Sequence, residues 1–88
     1  MKDSIEPVEL TVWTRYYGGT YIARCCGQTA SCTCSPDAAA ERAAAKYLDR
    51  LAAFTSSEVI GLSMTRISDG FYVAHAVLRR KTPEPQAA

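Results

Sequence analysis

The stretch Gly27-Gln28-Thr29-Ala30-Ser31-Cys32-Thr33-Cys34-Ser35-Pro36-Asp37, continuing through Ala38 to Phe54, passes from a cysteine-bearing loop straight into a helix of alanine and charge. Ser35-Pro36-Asp37 reads as the helix start. The serine hydroxyl accepts from free amide donors, a proline in the first turn gives up no needed N–H, and the aspartate lies at the positive end of the helix dipole. Beyond it, Ala40, Ala44, Tyr47, Leu48, Leu51 and Phe54 recur at helical spacing and predict one narrow apolar stripe. So little side-chain bulk lets such a helix lie close against a sheet. The remaining face, with Asp37, Glu41, Arg42, Lys46, Asp49 and Arg50, mixes signs as a solvated surface does.

Ahead of this stretch, Val8 to Tyr17 sets aliphatic Val8, Leu10 and Val12 in alternation with Glu9, Thr11 and Trp13, which is strand periodicity. Gly18-Gly19 supplies a tight turn, because both positions of a two-residue hairpin loop favour positive φ. Thr20 to Cys26 is then the returning strand, with Trp13 opposite Arg24, Thr14 opposite Ala23 and Arg15 opposite Ile22. Gly18-Gly19 opens no helix, and no Lys-Ser/Thr of a nucleotide loop follows it, so a phosphate-binding role is excluded.

On the other side of the helix, Ser56-Ser57 marks a loop. Val59 to Ile67 and Phe71 to Leu78 form a second hairpin about Ser68-Asp69-Gly70. A two-residue Asp69-Gly70 turn and a three-residue loop with Gly70 left-handed give opposite registers; the three-residue form, preferred here, groups Ile60, Leu62 and Met64 with Tyr72, Ala74, Ala76 and Leu78, under the alanine helix. The opposite face then carries Ser63, Thr65, Ile67, Phe71, Val73 and His75. The expected fold is α+β, a ββαββ chain whose antiparallel four-stranded sheet carries one helix on one face. Residues 1–7 form an N-terminal arm, 8–81 the domain, and 82–88 a flexible Pro-rich tail.

At 88 residues the chain has room for one small core and little for a deep substrate pocket. Its 48% hydrophobic and 22% charged residues are those of an ordinary folded domain. Ten Lys and Arg against nine Asp and Glu leave a net charge of +1, which excludes both the field of a dedicated nucleic-acid binder and the acidity of a DNA mimic. Arg79-Arg80-Lys81 is the one tight basic cluster and reads as solvated. No window has the length of a signal peptide or a membrane span, so the expected location is the cytoplasm, where the four cysteines are read first as thiols.

One helix cannot cover both sides of the sheet, so one face is left for solvent or a partner. The residues expected to form the contact are Trp13, Arg15, Tyr17 and Arg24, flanked by Phe71 and His75. Trp, Tyr and Arg dominate interface hot spots because they bury large area with few rotors and keep a polar handle. The bland alternatives are a Trp13–Arg24 cation–π pair that only stabilises the hairpin, or two copies packed sheet to sheet as a homodimer. The alternative function is nucleic-acid binding by the same face, with bases stacked on Trp13, Tyr17 and Phe71 and Arg15 and Arg24 along phosphates.

Cys25, Cys26, Cys32 and Cys34 with His75 offer soft ligands, but an adjacent pair and a Cys-x-Cys lack the spacing of zinc knuckles, and no metal or cofactor is expected. Their other reading is a buried Cys25, an exposed Cys26 and two loop thiols beside a helix start, where the dipole favours thiolate. No nucleophile and base are paired, so no enzyme is expected.

With the hairpin, Ser31-Cys32-Thr33-Cys34-Ser35-Pro36 and the run Ala38 to Lys46 in view, the chain resembles small phage-encoded ββαββ proteins, among them some anti-CRISPR inhibitors. The resemblance is one of layout over roughly residues 8 to 78. It implies a compact protein without an active site that binds a CRISPR effector complex of the host and keeps it from its target DNA. It fixes no individual functional residue.

Overall fold

A computed structural model describes residues 5–80. Chain order is β1 (Ile5–Tyr17), β2 (Thr20–Cys25), β3 (Gln28–Cys32), α1 (Pro36–Thr55), β4 (Ser57–Ser68) and β5 (Phe71–Arg80). All five strands join one sheet in the order β3-β2-β1-β5-β4, and every neighbouring pair is antiparallel. The expected four-stranded ββαββ sheet is therefore corrected to a five-stranded ββ-β-α-ββ arrangement. β1 begins at Ile5 and pairs with β5 from there; residues 1–4 and 81–88, which hold the rest of the arm and the tail, lie outside the described residues.

The additional strand lies in the stretch read as a cysteine loop. Cys26 and Gly27 take φ of 50° and 87°, matching the 60° and 81° of Gly18 and Gly19, so the chain makes the same kind of two-residue turn twice. A cysteine in the left-handed region hides that turn, since the usual signal is Asn or Gly. In β3, Gln28, Ala30 and Cys32 face the helix while Thr29 and Ser31 point away, an alternation muted by small and polar side chains.

The first hairpin has the expected register, with Trp13↔Arg24, Thr14↔Ala23 and Arg15↔Ile22. In the second, Leu62↔Ala76 and Met64↔Ala74 place the apolar residues under the helix as expected, but Ile60 and Ile67 are the extra residues of two bulges. Both are exposed, so Ile60 leaves the core group it was assigned to. Gly70 sits at φ 75°, and its carbonyl accepts from the Thr14 N–H at 2.7 Å. A Cβ there would lie 2.8 Å from the Thr14 carbonyl oxygen. Gly70→Ala combines that clash with an unfavourable φ and is expected to cost about 1–3 kcal/mol in urea unfolding.

The helix begins as its sequence dictates. Ser35 is extended at φ −162°, its Oγ accepts from the Ala38 N–H at 3.1 Å, and Pro36 takes the first turn. Ser56 closes the other end in the left-handed region. The buried side chains are Ala39, Ala40, Ala43, Ala44, Leu48 and Ala52, so the contact follows two adjacent i, i+4 rows. Phe54 lies instead on the row of Arg42, Lys46 and Arg50 and is 88% exposed, which removes it from the expected stripe.

Under α1 the sheet supplies Leu10, Val12, Ala23, Cys25, Cys32, Tyr72, Ala74, Ala76 and Leu78. Alanines on both sides allow the close approach. Tyr72, 2% exposed, donates its hydroxyl to Asp37 Oδ1 and ties the helix start to β5. Burial, then the Asp37 carboxylate, pushes the Tyr72 phenol up to about 12 from 10. The folded protein thus keeps this proton where the unfolded chain releases it, and stability falls as pH rises from 10 toward 12. Tyr72→Phe is expected to lose about 1–3 kcal/mol at neutral pH with the hydrogen bond, and to flatten that alkaline slope in melts across pH.

The two sheet edges differ. On β3, Arg42 Nη1 donates to the Ser31 carbonyl at 3.0 Å and Lys46 Nζ to the Thr29 carbonyl at 2.6 Å, so two helix cations cover the outer acceptors of that strand. Among the described residues no side chain does this for the outer main chain of β4, where Leu62 and Met64 stay half-buried.

Candidate functional site

The side chains of β1 that point away from α1 are Glu9, Thr11, Trp13, Arg15 and Tyr17; all are exposed, while Leu10 and Val12 on the other side are buried. The face continues onto Ile22 and Arg24 of β2 and onto Phe71, Val73, His75, Val77 and Arg79 of β5. Because β1 is the central strand, Trp13 has a cross-strand neighbour on each side, Arg24 on β2 and Phe71 on β5.

Trp13 is 61% exposed, and its ring packs on Phe71 with centroids 4.4 Å apart and planes tilted by 30°. The Thr14–Gly70 hydrogen bond pins the β4–β5 turn against β1 one residue away, which holds Phe71 beneath the indole. Arg15 lies over the Tyr17 ring, 5.8 Å from its centroid, and Tyr17 is 67% exposed. The aromatic partner of Trp13 is therefore Phe71, and the cation over a ring is Arg15 rather than Arg24. Trp13, Arg15, Ile22 and Arg24 line an open depression of about 590 Å³ beside this stack.

Charge divides along the face. Toward the β5 C-terminus, His75 Nδ1 lies 3.3 Å from Glu9 Oε2, and Arg79 Nε donates to Glu58 Oε2 at 2.8 Å. Around Trp13, by contrast, neither Arg15 nor Arg24 has a carboxylate partner among the described residues. Those two guanidiniums are the uncompensated charge of the face.

Trp13, Arg15, Tyr17, Arg24 and Phe71 thus form one patch. His75 does not join it: it lies four residues along β5, about 13 Å away, beside a separate depression lined by Pro7, Glu9, Gly61, Ser63 and Val77. The sequence reading missed Glu9 as the partner of His75, although their cross-strand pairing follows once β1 and β5 are known to be neighbours. It also missed the Tyr16–Tyr21 ring pair on the helix side, with centroids 4.9 Å apart, where Tyr16 is 63% exposed beyond the helix start.

The cysteines divide by strand. Cys25 is buried and Cys26 exposed, as in the bland reading; burial, and the adjacent Cys26, pushes the Cys25 thiol up to about 12. Cys34 is exposed, but Cys32 is a buried β3 residue rather than a loop thiol. Backbone N–H groups of Cys34 and then Ser35 pull the Cys32 thiol below its usual value, with the Cys34 N–H 3.4 Å from the sulfur. Cys25 and Cys32 pair with Gln28 and Tyr21 at opposite ends of the β2–β3 ladder, and His75 lies across the sheet. Among the described residues no three of His, Cys, Asp and Glu gather as a metal site.

No helix among the described residues is long and apolar enough to cross a membrane. No family model, curated protein or solved structure matches the chain.

Proposed function

We propose that this chain is a non-enzymatic binding domain that docks its open sheet face on a protein and sterically blocks a larger assembly. The observation that carries this reading is an indole 61% exposed, stacked on Phe71, between guanidiniums of Arg15 and Arg24 that no described carboxylate neutralises. A partner surface with an apolar recess rimmed by carboxylates complements it. The contact residues stand on three adjacent strands of one sheet, so docking orders little that is not ordered already.

The likeness to anti-CRISPR inhibitors offers one concrete assembly, a CRISPR effector complex in the host cytoplasm. That likeness is one of ββαββ layout, from which the fifth strand departs, whereas the docking face stands on Trp13 and its neighbours. The same stack beside the same guanidiniums supports a second reading, a nucleic-acid-binding accessory protein that stacks unpaired bases.

Salt separates the two. Titrations of labelled single- and double-stranded oligonucleotides, and of a purified effector complex scored for target-DNA binding, are run from low to high ionic strength. The first reading expects inhibition that survives salt and is lost in the Trp13→Ala, Arg24→Ala variant. Tight oligonucleotide binding that collapses as salt rises would favour the second.

A further inference from the structure

Between its two bulges β4 runs regularly for six residues, Gly61 to Arg66, each paired with β5. Its other side is the end of the sheet. An unpaired edge is a template for a further strand, and proteins blunt such edges with charge, proline or cover. Here the treatment is one-sided. The β3 edge is covered by Arg42 and Lys46, whereas Gly61-Leu62-Ser63-Met64-Thr65 has no proline, no charge and no side chain on its outer main chain among the described residues. Leu62 and Met64 also face the helix side without being buried, so the core is left incomplete along this edge.

We infer that β4 pairs antiparallel with β4 of a second copy about a two-fold axis at Ser63, joining two sheets edge to edge. The segment is complementary to itself in that register. Leu62 of each copy meets Met64 of the other on the helix side, and Gly61 meets Thr65 on the open side. Ser63 meets its own mate. Each contact is apolar with apolar or small with small, and no like charges oppose. A second copy fits better than an unrelated strand because every half-exposed apolar side chain of the segment then finds one of its own kind.

An axis perpendicular to the sheet keeps both open faces on the same side of a continuous layer of two five-stranded sheets. Five strand spacings, about 24 Å, separate the two β1 strands, and each Trp13 lies about 13 Å along its strand from the level of the axis, in opposite directions, so the two Trp13 patches stand about 35 Å apart. The dimer would present them to one partner together, although the pairing itself does not depend on what they bind.

The test is sedimentation of the full chain over a concentration series, with thermal melts to show that each variant folds. Wild type is expected to dimerise reversibly. Leu62→Lys with Met64→Lys sets lysine against lysine at both opposed positions and is expected to weaken the dimer at least about tenfold. Leu62→Lys with Met64→Glu sets lysine against glutamate and is expected to restore it. In a Cys26→Ser, Cys34→Ser background, Ser63→Cys is expected to cross-link between copies in oxidised glutathione. A wild type monomeric throughout the series overturns the proposal. So does a dimer that withstands the two lysines, or one lost instead in the Trp13→Ala, Arg24→Ala variant, which would place the interface on the open face.

Discussion

Leu48→Ala is expected to destabilise the domain by about 2–5 kcal/mol, read as the shift in urea midpoint at unchanged slope. Leu48 is 1% exposed and is the one large side chain among the six buried residues of the helix; the other five are alanines. Its removal therefore leaves a cavity that small neighbours cannot refill, between a helix and a sheet already in close approach. For a chain of 88 residues such a loss is a large part of total stability. Phe54→Ala in the same helix is expected to change stability by less than about 0.5 kcal/mol, because that ring is 88% exposed. The contrast between these two residues, both in the stripe read from sequence, tests the i, i+4 contact line directly.

The second large effect concerns binding. Trp13→Ala with Arg24→Ala is expected to weaken the proposed protein contact by at least about 30-fold, the scale of a hot spot losing its aromatic anchor and a guanidinium. Stability should fall far less. Trp13 is mostly in water already, and the lost stack on Phe71 is worth about 0.5–1.5 kcal/mol. Equal losses of affinity and stability would mean that the pair serves the hairpin, as the bland reading holds. Isothermal titration beside thermal melts distinguishes these outcomes.

Much of the site was legible in the sequence because its registers follow from turns. Gly18-Gly19 admits one pairing, and that pairing puts Trp13 opposite Arg24. The alternation of Val8 to Tyr17 then assigns Trp13, Arg15 and Tyr17 to the side away from Leu10 and Val12. What was not legible depended on neighbours distant in the chain. Nothing local says that β1 pairs with β5, so neither the Trp13–Phe71 stack nor the Glu9–His75 pair could be read. β3 was hidden for a different reason: its inward residues are Gln28, Ala30 and Cys32, and its turn places a cysteine in the left-handed region. Strand pairing here came from tertiary context, which propensity does not carry.

Phe54 shows a milder failure of the same kind. Helical spacing admits it to the stripe, yet its i, i+4 row holds Arg42, Lys46 and Arg50, and two of those cations are occupied with the carbonyls of β3. A row that carries charge over the sheet edge cannot also enter the core.

One thin helix covers one side of the sheet and leaves Trp13 on the other. Trp13 is the single tryptophan of the chain, so its fluorescence reports that arrangement without mutation. Acrylamide should quench native emission readily, and unfolding in guanidinium should shift the emission maximum only slightly. A native emission protected from acrylamide, moving strongly to the red on unfolding, would show the indole enclosed and contradict the open face.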